Sequence, residues 1–400
     1  MGIVRVALVA ETFLPAVNGV VNSVIRVADH LATQGNEPIV VAPDGAPGRF
    51  TTPAGHEVEV VVVPNVRVPA YPELSIGRPG TDLRPVLAAL QPDLVHLASP
   101  LVLGWSAAVA ADDLNLPCVA VFQTAMSAIL RRYRLGALSG GLWRVLRRLH
   151  GLTDLTLAPS TASACQLRAQ GISPVAIWGR GVDCDRFHPR HRSEVLHAQL
   201  GGVGTLLVGY VGRLAAEKRV DLLEPITGLP GVHLVVVGDG PKRRSLQRAM
   251  PDATFLGLQT GVALSRVMAS MDLLVNPGSD ETFCQVVQEA LASGVPVLSA
   301  AAGGPLDLVR HRDNGWLWSG RDPAVLAAQV AGLRENRIEL TGVAQRTRSS
   351  VVGRNWSRLG DELLGHYRDV LTARSAERRP RNGAGATPIR TAKRLRRRAS

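Results

Sequence analysis

Two successive series of short apolar runs, most of them followed by a longer segment of helical periodicity, constrain the fold of this chain most strongly. The runs are apolar throughout instead of alternating with polar residues, which is typical of parallel strands covered on both faces. Two consecutive strand–helix series predict an α/β fold with two doubly wound domains. The predicted strands are 4–10, 39–42, 58–63, 94–97, 119–122 and 155–158 in the first series and 206–211, 234–237, 273–276 and 295–299 in the second.

The strand–helix pattern is interrupted at 183–204, where a proline, several His and Arg residues and two adjacent glycines occur. A length of 400 residues also suits two domains. We therefore predict a first domain over 1–185, a second over 186–355, a helix over 356–372 and a tail over 373–400. Because ligands bind at the carboxyl ends of strands in such sheets, two facing sheets would form a binding cleft between the domains.

Most of the positive charge of the chain lies in this tail. The formal net charge is +12, but residues 373–400 contain ten basic residues and one acidic residue, so the first 372 residues carry only +3. A segment so rich in Gly, Ala and Arg is predicted to be a disordered basic tail. We expect no specific nucleic-acid partner, although nucleic-acid binding through the tail is an alternative that the sequence leaves open.

Cysteine usage and the absence of a recognisable leader favour a cytoplasmic protein. The four cysteines are scattered without Cys-x-x-Cys spacing, which fits a reducing compartment. We identify no secretory signal and no apolar run long enough to span a bilayer. A nicotinamide-dependent dehydrogenase is a weak alternative, because the first strand–helix turn lacks the glycine-rich fingerprint of such enzymes.

Two glutamates separated by seven residues follow the predicted strand that ends at Asn276. Glu281 lies in a polar loop, and a helix is predicted to start near Thr282 and to hold Glu289 two turns in. Carboxylates form strong charge-assisted hydrogen bonds with hydroxyl groups, and the free N–H groups of a helix start can meet a phosphate. The alternative is an ordinary surface helix with two solvated acids.

Two basic residues follow the first strand of the second series. Gly212 permits a tight turn, and Arg213 and Lys218 lie in the loop after it. A planar guanidinium fork and a point-like ammonium together suit a diphosphate. The alternatives are a solvated basic loop, or a salt bridge from Lys218 to Glu217 or Asp221.

Together with the glycine-containing stretches 237–241 and 302–305, these motifs closely resemble the retaining family-4 glycosyltransferases of the GT-B fold. The resemblance extends over residues 4–370 and includes further matches at 9–20, 93–100 and 179–183. Two more stretches, 120–124 and 290–297, are similar to the subgroup of actinobacterial GDP-mannose-dependent α-mannosyltransferases that act on glycolipids.

The resemblance implies two Rossmann-like domains that face each other across a cleft, with the acceptor on domain one and the nucleotide on domain two. It implies that Arg213 and Lys218 hold the diphosphate and that Glu281 binds hydroxyls of the donor sugar, which makes these three the candidate catalytic residues. It places Glu289 on the ribose. Gly19, in the first strand–helix loop, would let the backbone approach the donor from across the cleft.

The resemblance also implies retention of anomeric configuration, with a diphosphate oxygen helping to take the acceptor proton and no carboxylate nucleophile. Positive groups at the diphosphate would stabilise the leaving group without a metal, and no cofactor is expected. Asp183 and Asp185 form an Asp-x-Asp pattern, but it lies at the domain boundary. We therefore expect no metal site there, because two acids alone do not make one.

Three further residues are assigned to the donor or acceptor. The resemblance places Phe283 beside the donor and Gln123 in contact with the sugar or acceptor. His96 lies at the end of a predicted strand of domain one, where it could line the cleft and make a similar contact; the alternative is a structural histidine. Many family members have His at the position of Gln123, and glutamine cannot titrate. Related mannosyltransferases also often have Asp where this chain has Ala125. A catalytically impaired protein that binds sugar nucleotides is therefore an alternative to the enzyme.

Residues 131–150 contain six arginines and no acid, with leucines at helical spacing between them. A basic amphipathic helix with Trp143 can lie on anionic lipid. The alternative is a helix that packs on the core and exposes a basic face. With a lipid or glycolipid acceptor, the first interpretation predicts peripheral attachment to the inner face of the plasma membrane.

Overall fold

The computed structural model describes residues 2–16, 18–43, 45–68, 71–123, 139–319 and 322–378. Its described part contains two large sheets of mainly parallel strands, which confirms the predicted α/β class with two Rossmann-like domains. Both sheets are built from runs whose residues are buried on both faces, as the apolar sequence pattern predicts.

The first sheet has the strand order β10-β9-β8-β7-β1-β2-β4-β3, and all neighbours are parallel except β3 and β4. A separate antiparallel hairpin, β5–β6, follows β4. The strands are β1 Arg5–Val9, β2 Glu37–Pro43, β3 Arg49–Thr51, β4 Glu57–Val63, β5 Asn65–Val68, β6 Tyr71–Gly77, β7 Leu94–Leu97, β8 Cys118–Val121, β9 Leu155–Ala158 and β10 Val175–Ile177.

The helices of domain one cover the two faces of this sheet. The first begins where the Asn18 side chain accepts hydrogen bonds from the backbone N–H groups of Val20 and Val21. It ends before Gly35, whose φ of 74° favours glycine. The helices are α1 Gly19–Thr33, α2 Arg84–Leu90, α3 Val102–Asp113, α4 Ser139–His150 and α5 Thr161–Ala169.

The second sheet has six parallel strands in the order β13-β12-β11-β14-β15-β16. Its strands are β11 Leu206–Val211, β12 Val232–Val237, β13 Thr254–Gly257, β14 Leu273–Asn276, β15 Val297–Ala300 and β16 Gly315–Trp318. The helices of this domain are α6 Glu194–Gly201, α7 Arg243–Ala249, α8 Gly261–Ala269, α9 Gln285–Ala292, α10 Pro323–Glu335 and α11 Arg337–Thr347.

The last helix, α12 (Trp356–Arg378), packs against domain one. Leu359, Leu363 and Tyr367 are buried in the same apolar cluster as β1 and α1. The helix runs six residues beyond its predicted end at 372, because Arg374 finds an acidic partner on domain one, with its Nε 2.8 Å from an Asp154 carboxylate oxygen. Arg374 is therefore part of the folded body and not of the predicted tail, of which residues 379–400 lie outside the described residues.

The predicted amphipathic segment coincides in part with α4, whereas 131–138 lie outside the described residues. Trp143, Leu146 and Leu149 are buried in domain one, with Trp143 stacked near Phe122. The core-packing alternative is thus correct for the apolar face of α4, and Trp143 is not available to enter lipid. The opposite face exposes basic side chains. Within the described residues, no helix is long and apolar enough to cross a membrane.

Candidate active site

An ion pair joins the two loops that the sequence singles out. Lys218 follows β11 and Glu281 follows β14, and their Nζ and Oε1 atoms are 2.7 Å apart although the residues are 63 positions apart in the chain. The side chains are 30% and 13% exposed. Burial alone would lower the pKa of Lys218, but the Glu281 carboxylate outweighs it and raises this pKa, so the lysine is charged. Lys218 therefore forms its ion pair with Glu281 at the predicted site and not with Glu217 or Asp221, the two alternative partners.

A glycine turn after β15 supports the Glu281 loop from behind. The Gly304 backbone N–H donates to the Glu281 carbonyl at 2.8 Å. A Cβ on Gly304 would lie 2.3 Å from the Cα of Phe283, and one on Gly303 would lie 2.3 Å from the Glu281 carbonyl oxygen. Because both contacts are with backbone, only glycine lets the two loops approach this closely. The turn therefore fixes the position of the Glu281 backbone.

The helix after this loop begins later than predicted. Helix α9 starts at Gln285 and not near Thr282, because Cys284 adopts a left-handed conformation with φ of 73° and interrupts the helix. Phe283 is also placed differently from the prediction. Its ring is buried in an apolar cluster with Val182 and Phe187. Phe283 therefore anchors the Glu281 loop in the core and does not present its ring to a donor.

Glu289 lies in the second turn of α9. Burial raises the pKa of its carboxyl group to about 7, while Arg186 and the Gln285 side chain favour the ionised form. The Gln285 amide in turn donates to the Gly181 carbonyl at 3.0 Å, in the segment that connects the two domains. Glu289 is thus a carboxylate whose charge changes close to neutral pH.

Arg213 lies in a loop that is held by a second glycine-rich loop. Gly238 has a φ of 135°, and a Cβ there would lie 1.9 Å from the Gly212 carbonyl oxygen. The Tyr210 hydroxyl donates to the Arg213 carbonyl at 3.0 Å from below. The Arg213 side chain is exposed. The backbone of Arg213 is therefore fixed, and its guanidinium extends from the carboxyl end of β11.

Domain one contributes Gln123 and Gly19 to the same junction between the domains. The Gln123 carbonyl accepts from the Thr282 hydroxyl at 3.0 Å, so it lies beside the Glu281 loop. The Gln123 side-chain amide donates to the Ala98 carbonyl at 2.8 Å and accepts from Arg180. Arg180 also donates to the Gly19 carbonyl at 2.8 Å. The sequence analysis did not single out Arg180, although this residue lies within the family-like stretch 179–183.

His96 is not part of this junction. It is 2% exposed, its Nδ1 is 2.6 Å from the Tyr367 hydroxyl of α12, and its ring meets Trp178 edge-on. Burial lowers the pKa of His96 to about 3, so the ring is neutral. The prediction of a sugar or acceptor contact is therefore wrong for His96 in this structure, where its side chain packs the last helix onto domain one.

The Asp-x-Asp pattern at the domain boundary is engaged in another way. Asp183 forms an ion pair with Arg26 of α1 at 2.9 Å. In the part of the chain that the structure describes, no group of three or more His, Cys, Asp or Glu side chains is arranged to hold a metal ion.

Solved structures with this architecture identify the fold. Sucrose-phosphate synthase from Thermosynechococcus elongatus superposes with a TM-score of 0.74 at 18% identity, covering 92% of this chain and 99% of that one. The Anabaena protein HepE, solved in complex with UDP-glucose, gives a TM-score of 0.73 at 20% identity, covering 92% of this chain and all of its own. These likenesses show the GT-B fold, the two-domain fold of many glycosyltransferases.

Sequence comparison identifies the family to which the chain belongs. The model for "Glycosyltransferase Family 4" matches residues 17–186, and the model for "Glycosyl transferases group 1" matches 205–336. A GDP-mannose-dependent alpha-mannosyltransferase of Mycobacterium tuberculosis is 46% identical over 94% of this chain and 99% of its own length. A protein of the same name from Corynebacterium glutamicum is 44% identical over 92% of this chain and 89% of its own. The chain belongs to glycosyltransferase family 4, which confirms the predicted resemblance and the predicted class of enzyme.

Proposed function

We propose that this protein transfers mannose from GDP-mannose to a lipid-linked or glycolipid acceptor, with retention of configuration and without a metal. The observation that carries the proposal is the Lys218–Glu281 ion pair, which joins a cation suited to a diphosphate with a carboxylate suited to sugar hydroxyls. The choice of GDP-mannose over a UDP-sugar is supported by three relatives named GDP-mannose-dependent alpha-mannosyltransferase, which are 44–46% identical over almost the whole chain.

Charge stabilisation at the leaving group is the main catalytic contribution in this proposal. Negative charge grows on the bridging oxygen as the bond from the anomeric carbon to the diphosphate breaks. Arg213 and Lys218 would stabilise this charge where it develops, so the chain supplies cations for the step. A diphosphate oxygen would accept the proton of the acceptor hydroxyl on the same face of the sugar, which retains configuration and requires no carboxylate nucleophile.

The remaining donor contacts follow from the carboxylates and from the first helix. Glu281 would accept hydrogen bonds from mannose hydroxyls while Lys218 turns from Glu281 to the diphosphate. Glu289, when ionised, would accept the two ribose hydroxyls. Gly19 would present the start of α1 to the donor from domain one, where a side chain would crowd the site: a Cβ there would lie 3.0 Å from an Arg180 nitrogen.

Attachment to an anionic membrane surface is the part of the proposal that concerns the acceptor. It is supported by the exposed face of α4, which carries Arg144 and Arg147 beside Val145, 49% exposed. Basic side chains near a membrane surface each contribute about 1 kcal/mol of attraction to anionic lipid. We place the enzyme in the cytoplasm, at the inner face of the plasma membrane, consistent with its four free cysteines.

A transfer assay tests this function. Purified protein is incubated with radiolabelled GDP-mannose, UDP-glucose or UDP-galactose and an actinobacterial lipid extract, with and without EDTA. We expect label to enter the lipid fraction from GDP-mannose alone and to be unaffected by EDTA, and NMR of the product to show an α-linkage. Tight binding of a sugar nucleotide with no turnover on any extract would favour the catalytically impaired alternative, which the engagement of the Gln123 amide by Ala98 and Arg180 keeps open. Transfer from a UDP-sugar would contradict the donor assignment.

A further inference from the structure

Arg180 occupies a position at the interdomain junction that the candidate donor residues leave unexplained. Its Nη1 donates to the Gly19 carbonyl at 2.8 Å, and its Nη2 donates to the Gln123 side-chain oxygen. Both acceptors are neutral. A guanidinium has five N–H donors, and these two bonds use only two of them.

The positive charge of Arg180 has no acidic partner among the described residues. Within the described ranges, Arg26 and Arg374 each pair with an aspartate, whereas no carboxylate oxygen lies within ion-pair distance of the Arg180 guanidinium. Burial lowers the pKa of Arg180 to about 10, which still leaves it charged at neutral pH. In the sequence, the segment 124–138 that follows Gln123 contains no Asp or Glu. A desolvated cation without an anion is costly, so the protein maintains this charge at the expense of stability.

The local helix increases that cost. Gly19 is the first residue of α1, a helix of 15 residues, and the N-terminal end of a helix carries a partial positive charge. A second arginine illustrates the opposite case. Among the described residues, Arg348 likewise donates only to neutral acceptors, but one of them is the Ala292 carbonyl at the C-terminal end of α9, where the helix charge is negative. Arg348 is therefore satisfied by its surroundings, whereas Arg180 and the start of α1 both favour an anion.

The contacts of Arg180 also place it close to the donor loop. Arg180 binds the Gln123 side chain, the Gln123 carbonyl binds the Thr282 hydroxyl, and Thr282 is next to Glu281. Two hydrogen-bonded steps thus separate Arg180 from the loop that pairs with Lys218. Arg180 is only partly buried, so a ligand at the junction can reach it.

We propose that Arg180 is a further anion-binding residue of the active site, and that its guanidinium pairs with a phosphate group of a substrate. This inference deepens the proposed function and rests on it. The phosphate has two sources, the diphosphate of the sugar nucleotide and a phosphate on the lipid acceptor. In either case Arg180 supplies charge-assisted hydrogen bonds from domain one, opposite the cations of domain two.

Substitution of Arg180 separates the two sources. The affinities for GDP and for guanosine are measured by calorimetry for wild type, Arg180→Gln and the control Arg348→Gln, together with the KM values for donor and acceptor. Loss of one charge-assisted contact should weaken binding of the phosphate-bearing ligand by ~10- to 100-fold. A donor role predicts weaker GDP binding with unchanged guanosine binding, and an acceptor role predicts a raised acceptor KM alone. Arg348→Gln should lower the melting temperature but should change neither the GDP affinity nor the acceptor KM.

A second variant keeps the test informative if Arg180→Gln folds poorly. Arg180→Lys retains the charge, but burial lowers the pKa of a lysine from an ordinary value already below that of arginine, so the lysine loses its proton at a lower pH. The ratio of its affinity for the phosphate-bearing ligand to that of wild type at the same pH should therefore be near one at about pH 7 and should fall by about pH 9. A purely structural arginine would give no such pH profile.

The outcomes distinguish this inference from the proposed function. Wild-type binding of GDP that neither Arg180 variant changes, together with an unchanged acceptor KM, would overturn the role of Arg180 and leave the function standing. A wild-type protein that binds no sugar nucleotide would overturn both.

Discussion

Replacement of Lys218 by alanine removes the cation that lies 2.7 Å from Glu281. At that distance the gross attraction is about 6 kcal/mol for an effective dielectric constant of about 20. Desolvation offsets much of it. Because the two side chains are 30% and 13% exposed, the pair lies between a surface pair, worth about 0.2–1 kcal/mol, and a buried pair, whose breakage costs about 3–5 kcal/mol. We expect Lys218→Ala to lower the free energy of unfolding by about 1–3 kcal/mol.

The effect on transfer should be larger than the effect on stability. Removing one group that stabilises charge in the transition state typically costs about 100- to 1,000-fold in kcat. GDP release from GDP-mannose is followed in the presence of lipid extract, and unfolding is followed by denaturant titration. Asp221→Asn is the matched control, because it disturbs only a long 3.4 Å pair with Arg219 in which Asp221 is 59% exposed. The free energy of unfolding of this control should stay within about 0.5 kcal/mol of wild type, and its kcat should be unchanged.

The double variant Lys218→Ala/Glu281→Gln tests the origin of the stability loss. Because the uncompensated carboxylate is removed together with the lysine, we expect it to be more stable than Lys218→Ala by about 1 kcal/mol, while transfer remains lost. Near wild-type kcat in both Lys218→Ala and Glu281→Gln would refute the assignment of the ion pair to the donor site.

Three other features of the second domain give testable expectations. Ribose binding requires ionised Glu289, and burial raises the pKa of this residue to about 7. The affinity for GDP should therefore weaken as the pH falls from about 8 to about 6, and Glu289→Gln should abolish this dependence. A wild-type affinity that does not change over this pH range would contradict the assignment. Gly304→Ala would place a Cβ 2.3 Å from the Phe283 Cα, so it should lower the free energy of unfolding by about 1–3 kcal/mol and reduce transfer. The control Gly332→Ala lies inside α10 with open space around it, so it should raise the free energy of unfolding by about 0.5–1 kcal/mol. A Gly304→Ala unfolding curve equal to that of wild type would reject the close packing. Burial alone would raise the pKa of Asp272, but hydrogen bonds from His197 and the Leu207 N–H with the charge of Arg192 lower it. The stabilisation that ionised Asp272 contributes is therefore present above about pH 4, the pKa of an aspartate in the unfolded chain, and is lost as the pH falls through the lower pKa of the folded state. The urea midpoints of wild type and Asp272→Asn should differ at neutral pH and converge in acid.

The central strands could be predicted because burial on both faces leaves a continuous apolar signal. The runs 94–97, 155–158, 206–211 and 273–276 coincide with β7, β9, β11 and β14. Peripheral elements carry no such signal. Strand β3 has three residues and only one buried side chain, and β10 is half exposed, so their sequences resemble loops.

The candidate site was predictable where chemistry depends on residue type and was missed where it depends on packing. Lys218 and Glu281 stand out because charged residues after parallel strands meet at one edge of a sheet. Nothing local to the sequence shows that Phe283 and His96 are buried, because their neighbours come from distant segments such as Phe187 and α12. Arg180 resembles an ordinary loop arginine, and only its tertiary contacts identify it.

The flanking glycines are the one signal that could have drawn attention to Arg180. A Cβ on Gly181 would lie 2.6 Å from the Cα of Trp356, and one on Gly179 would lie 3.0 Å from a guanidinium nitrogen of Arg354. The two glycines therefore lie in a closely packed segment, and Gly181 in particular contacts the backbone at the start of α12.

A crystal structure of the protein with GDP-mannose tests the central claim most directly. We expect the diphosphate to lie within hydrogen-bonding distance of Lys218 Nζ and the Arg213 guanidinium, the mannose hydroxyls to contact Glu281, and the ribose to lie at Glu289. A nucleotide bound away from the ends of β11 and β14, with the Lys218–Glu281 pair untouched, would contradict it.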